Sequence, residues 1–127
     1  MEKHILLIDD DKDELEIFTN ALNRIPVDFV CTQVLNAEEA IQTLRHQTPD
    51  FIFIDYNMPL KNGIECLEDL KKIKELENTR FIIYSNFISD EVSIKARTLG
   101  ADICMKKPYL ISTLSQRLKE TLTPYLY

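Results

Sequence analysis

Phe51-Ile52-Phe53-Ile54-Asp55-Tyr56-Asn57-Met58-Pro59 is an apolar run that stops abruptly at a carboxylate. Four apolar residues in succession fit a strand buried on both faces, as strands of a parallel sheet are, and they place Asp55 at its carboxyl end. Ligands of open α/β sheets bind along that edge, so Asp55 is the first candidate functional residue. Taken alone, Asp-x-Asn-x-Pro reads more simply as a loop of turn formers. The rest of the chain reverses that preference.

Towards the N-terminus, Ile5-Leu6-Leu7-Ile8 is a second continuous apolar run, and it too ends in acid, at Asp9-Asp10-Asp11. Asp11 with Glu14 three residues on has the pattern of a helix capping box, and Leu15, Phe18, Leu22 and Ile25 then recur at helical spacing until Pro26. Residues 29–34 are rich in strand formers. Asn36 with Glu39 suggests a second capping box before Ala37, Ala40, Ile41 and Leu44. Beyond Asp55 and Gly63, the residues Cys66, Leu70 and Ile73 mark one helix face, with Lys71, Lys72, Lys74 and Glu75 on a solvated one. Phe81-Ile82-Ile83-Tyr84 is a fourth strand ending at Ser85-Asn86. The helix after it turns Val92, Ala96 and Leu99 inward and stops at Gly100. Ile103-Cys104-Met105 forms a short fifth strand before Lys106-Lys107-Pro108, and Ile111, Leu114, Leu118 and Leu122 define a last amphipathic helix.

Five strands alternating with five helices imply a three-layer α/β/α sandwich: a flavodoxin-like parallel sheet of order 2-1-3-4-5, with helices on both faces. Every strand end that precedes a helix lies on one edge, so Asp9, Asp10, Asp55, Ser85 and Lys107 are expected at the same rim.

The chain's 127 residues suit a single domain with one core. It has no run of about 18 apolar residues and no signal-peptide pattern at its start, which points to a soluble, cytoplasmic protein without membrane insertion. A net charge of −6 argues against direct binding to nucleic acid. The three cysteines, Cys31, Cys66 and Cys104, lie far apart in periodic apolar segments and read as reduced core thiols. With two histidines and no paired cysteines there is little from which to build a zinc site, and with two glycines no Gly-rich nucleotide loop.

Carboxylates crowded at one rim repel one another unless a cation enters. An all-oxygen donor set from Asp9, Asp10 and Asp55 suits Mg2+. A lysine and a hydroxyl beside an acid-bound cation make a receptor for a phosphoryl group, with Lys107 neutralising charge and Ser85 donating a hydrogen bond. Asp55 is then the nucleophile, forming an acyl phosphate.

From Lys3 to Leu122 the sequence resembles the receiver domain of bacterial two-component response regulators. The carriers are Asp9-Asp10, Asp55 with Met58-Pro59 and Gly63 at the family's spacing, Ser85, and Lys107-Pro108. Each motif is weak alone, but five in order are specific. The resemblance implies that Asp55 accepts phosphate from a sensor histidine kinase or histidine phosphotransfer protein. It implies that Asp10, Asp55 and the Asn57 carbonyl ligate Mg2+, with Asp9 acting through water. It further implies that Lys107 and Ser85 hold the phosphoryl group, and that the face formed by the fourth helix, fifth strand and fifth helix meets a separate downstream protein. The chain is thus expected to be a stand-alone receiver without an output domain, a switch rather than an enzyme.

Two positions depart from the family. Cys104 stands where an aromatic usually couples to the hydroxyl, which leaves Tyr84 or Tyr109 as the substitute moving aromatic, and Asn86 follows Ser85 where a small residue is usual. Phe87, two residues beyond the hydroxyl, is expected to hinder the water that hydrolyses the phosphoryl group. Two alternatives stay open. One is an adaptor that keeps the fold but not the phosphorylation. The other is a metal-dependent phosphohydrolase, for which Asp55-Tyr56-Asn57 lacks the second acid of an Asp-x-Asp loop.

Overall fold

The computed structural model describes residues 2–126. The elements alternate as the periodicities predict: β1 Lys3–Ile8, α1 Glu14–Leu22, β2 Phe29–Val34, α2 Ala37–Leu44, β3 Phe51–Ile54, α3 Gly63–Leu70, β4 Arg80–Ser85, α4 Asp90–Thr98, β5 Ile103–Lys106 and α5 Ile111–Leu122. The strands form one sheet of order β2-β1-β3-β4-β5, every pairing parallel. No helix among the described residues is long and apolar enough to cross a membrane.

The side-chain period of two sends alternate residues of each central strand to opposite layers. Leu6, Ile8, Ile52, Ile54, Phe81 and Ile83 pack under α2, α3 and α4 with Leu44, Leu67, Leu70 and Ala96. Ile5, Leu7, Phe51, Phe53, Ile82 and Tyr84 pack under α1 and α5 with Phe18, Leu22, Leu114, Leu118 and Leu122. Phe51 through Ile54 are all buried, the property that the opening run implied. The three cysteines are free; Cys66 is buried, while Cys31 and Cys104 are half-buried.

The helix ends differ from the sequence reading in informative ways. α1 does not use Asp11 and Glu14 as a capping box. Asp11 instead makes a turn, its Oδ1 accepting from the Asp13 N–H at 3.0 Å and its carbonyl from the Glu14 N–H at 3.1 Å. Glu14 is thereby released to point inward, where it is buried. At α2 the Asn36 side chain accepts from the Glu39 N–H at 2.9 Å, but the Glu39 carboxylate accepts from the Leu35 N–H rather than closing the box. A complete capping box lies at α3, where Asn62 and Glu65 serve each other's backbone N–H.

Candidate functional site

Backbone hydrogen bonds carry the ladder beyond the strand ends and so fix where the rim side chains start. The Asp9 N–H donates to the Val34 carbonyl at 3.0 Å, the Asp55 N–H to Ile8 at 2.9 Å, and the Lys107 N–H to Ser85 at 2.8 Å. Gly63 anchors the loop after Asp55. Its N–H donates to the Tyr56 carbonyl at 2.8 Å, and a Cβ at this position would stand 2.6 Å from the Asp55 carbonyl oxygen and 2.7 Å from the Tyr56 Cα. No side chain fits such an approach, so α3 begins on glycine and packs directly on the backbone of Asp55 and Tyr56. Leu60, at the exposed tip of the same loop, takes a left-handed φ of 70°.

The expected residues converge. Asp9, Asp10 and Asp55 each offer a carboxylate oxygen within 4.8 Å of the others. Asp9 and Asp55 are buried, whereas Asp10 is exposed. Lys107, 98 positions from Asp9 in sequence, places its ammonium 2.6 Å from Asp9 Oδ2 and 3.9 Å from Asp55 Oδ1. The other Asp9 oxygen, Oδ1, accepts from the Asp11 N–H at 2.9 Å. Asp9 is therefore already engaged by protein donors on both oxygens, while Asp10 has an open approach. Ser85 is buried beside Asp55, and its Oγ accepts from the Asn57 side-chain amide at 3.5 Å.

Burial raises the Asp55 carboxyl to about 6; the Lys107 charge opposes this, Asp9 adds to it, and hydrogen bonds from Ser85 and the Asn57 backbone N–H pull back down. Burial also acts to lower the Lys107 pKa, but its hydrogen bond to Asp9 and the charges of Asp9, Asp55 and Glu14 outweigh it and leave the ammonium firmly protonated. One lysine thus faces more negative charge than it can neutralise. The oxygen-only donor set within 4.8 Å fits a hard divalent cation of the Mg2+ class.

The sequence reading missed Glu14, because its spacing from Asp11 suggested a cap. Its Oε2 lies 3.8 Å from the Lys107 ammonium, and its Oε1 accepts from the Tyr84 hydroxyl at 3.0 Å. An acid at the inward position of an otherwise apolar helix face, one turn before Phe18 and in line with Phe18, Ala21 and Leu22, was the available signal. Tyr84, one of the two aromatics named as candidates to move, is 1% exposed and packs edge-on against Phe18 and Phe53. Tyr109, the other, is 98% exposed. Cys104 faces α4, its Sγ 4.0 Å from the Ser93 carbonyl.

The structure is a doubly wound parallel α/β domain with acids, a hydroxyl and a lysine gathered at the carboxyl edge of its sheet, the edge at which ligands of such folds bind. The chain belongs to the response regulator receiver domain family, which matches residues 5–119. It is 30% identical over 126 residues to the chemotaxis protein CheY of Halobacterium salinarum, covering 97% of this chain and 99% of that one. It is 26% identical over 119 residues to a Bacillus subtilis protein named "Probable C4-dicarboxylate response regulator DctR", spanning 94% of this chain and about half, 52%, of that longer relative. Among solved structures, the phosphorylated cyanobacterial phytochrome response regulator RcpA superposes with a TM-score of 0.86 at 26% identity, covering 99% of this chain and 95% of that one.

Proposed function

We propose that this receiver domain is a phosphoacceptor switch in a two-component phosphorelay, with Asp55 as the acceptor. The observation that carries the reading is the cluster itself: a buried Asp55, neighboured by Asp9 and Asp10, with the Lys107 ammonium 3.9 Å away. An Asp55 carboxylate oxygen attacks the phosphorus of a phosphohistidine on a histidine kinase or phosphotransfer protein. The new O–P bond is an acyl phosphate, the P–N bond breaks, and the leaving imidazole recovers a proton. Lys107 neutralises one phosphoryl oxygen and the Ser85 hydroxyl donates to another.

Asp10, Asp55 and the Asn57 carbonyl would hold Mg2+, with Asp9 reaching it through water while it keeps Lys107 in place. When bound, the ion supplies charge neutralisation between acceptor and phosphoryl oxygens. Without it, the excess acid at the rim opposes the approach of an anionic donor. The domain acts as a cytoplasmic signalling module that modifies itself rather than a separate substrate, and phosphorylation changes how the α4-β5-α5 face binds a downstream protein. Half-buried Cys104 in place of an aromatic, and a Tyr84 locked in the core, route that change through the Ser85–Asn86–Phe87 loop and the exposed Tyr109.

Intact mass after incubation with a small-molecule phosphodonor tests the reading. One phosphoryl group should be gained with Mg2+ present and lost in Asp55→Asn; no gain under any condition would move the protein to the adaptor class.

A further inference from the structure

Glu14 is an expensive residue for its position. It is buried on the inward face of α1, burial raises its carboxyl pKa, and Asp9 and Asp11 add to that rise. An apolar side chain would complete the layer beneath α1 at lower cost. Its two oxygens are nevertheless both directed: Oε1 takes the hydrogen of the Tyr84 hydroxyl at 3.0 Å, and Oε2 lies 3.8 Å from Lys107 Nζ.

Tyr84 in turn cannot drift. Its ring centroid stands 5.6 Å from that of Phe18 and 5.9 Å from that of Phe53, both edge-on, and its hydroxyl is buried and requires an acceptor. The Lys107 ammonium lies 5.2 Å from the centre of the same ring, within cation–π range. Lys107 is therefore restrained by Asp9, by Glu14 and by an aromatic ring at once. A free lysine side chain carries large rotamer entropy, and these three contacts remove most of it before any phosphoryl group arrives.

We propose that Glu14, clamped by the Tyr84 hydroxyl, is a positioning residue for Lys107 that holds the ammonium where a phosphoryl oxygen on Asp55 will need it. The proposal rests on Asp55 being the acceptor. Glu14 and Tyr84 do not touch the phosphoryl group; they act through Lys107. Because the clamp works as a unit, loosening either member releases the lysine, and losing both adds little further.

The test uses Glu14→Gln, which is isosteric and still accepts from Tyr84 but turns a donor amide on Lys107, and Tyr84→Phe, which keeps the ring and frees the carboxylate. The exposed Glu16→Gln on the same helix is the control. Phosphorylation by a small-molecule donor with Mg2+ should slow about tenfold in Glu14→Gln, roughly threefold in Tyr84→Phe, and in the double variant about as much as in Glu14→Gln alone, with Glu16→Gln unchanged. In the resting protein, without donor or metal, the Lys107 side-chain NMR resonances should move in both single variants and stay in Glu16→Gln. A merely structural role would leave the Lys107 signal in place, so unmoved resonances in folded Glu14→Gln would overturn the proposal, as would rate losses that multiply in the double variant. If Glu14→Gln does not fold, Tyr84→Phe carries both readouts. Should wild type accept no phosphoryl group, the acceptor reading fails by itself, and the resting-state resonances still decide whether the clamp exists.

Discussion

Replacing the proposed nucleophile should make the metal-free protein more stable. Asp55 is raised from 3.8 to about 6 in the fold. A raised acid pKa means that the folded state binds protons more tightly than the unfolded chain, so stability is fullest below the unfolded value and is lost as pH rises through the folded one. At pH 7 the whole cost is present: about 2 pKa units at 1.36 kcal/mol each, close to 3 kcal/mol. The Asp55 side chain is only 9% exposed, so water screens little of this. That cost is already net of the Lys107 attraction. Asn in its place removes the charge but turns an amide donor into a buried site built to offer donors, a mispairing of about 1–2 kcal/mol, which leaves a net gain of about 1–2 kcal/mol. For a domain of this size that is roughly 4–8 °C in Tm. Urea unfolding of wild type and Asp55→Asn in the presence of a chelator, at pH 7 and at steps down to pH 4, reads it directly. The advantage of Asp55→Asn should be full above pH 6 and close as pH falls towards 3.8. Equal or lower stability of Asp55→Asn at pH 7, or a gap that widens in acid, would refute the claim that the site stores uncompensated acid.

Mg2+ should offset the same cost. At about 100 times its Kd it should raise wild-type stability by roughly 2.7 kcal/mol in the same unfolding assay and do much less for Asp55→Asn. Gly63→Ala places a methyl 2.6 Å from the Asp55 carbonyl oxygen; it should cost upwards of about 2 kcal/mol and displace the acceptor loop, visible as lost thermal stability and changed amide shifts from Asp55 to Asn57. Phe87, 69% exposed beside the Ser85 loop, should shield the phosphoryl group from water. Phe87→Glu should therefore speed decay of the phosphorylated state, and an unchanged decay rate would remove Phe87 from the account.

The sheet was legible because a parallel strand buried on both faces has to be written in consecutive apolar residues, and Ile5–Ile8, Phe51–Ile54 and Phe81–Tyr84 are so written. Once the strands alternate with helices, the right-handed crossover places every strand end on one rim. Asp9, Asp10, Asp55, Ser85 and Lys107 could thus be gathered without coordinates. Local patterns were less decisive. Asp11 and Glu14 have capping-box spacing, but Asp11 satisfies its own turn, and Glu14 gains more from Tyr84 and Lys107 than from a backbone N–H. Both of those partners are remote in sequence. The same limit applies to Tyr84, whose pairing with Phe18 and Phe53 follows from the packing of α1 on β3 and β4. Asn62 escaped notice because its box with Glu65 opens at a loop already assigned to turn formers.

The central claim is that the carboxylate at the end of β3 takes the phosphoryl group. Borohydride reduction of protein incubated with phosphodonor and Mg2+, followed by peptide mass mapping, traps an acyl phosphate as the alcohol of the side chain that carried it. The account predicts homoserine at position 55, dependent on donor and metal. Trapping at Asp9 or Asp10 instead, or at no residue, would contradict it.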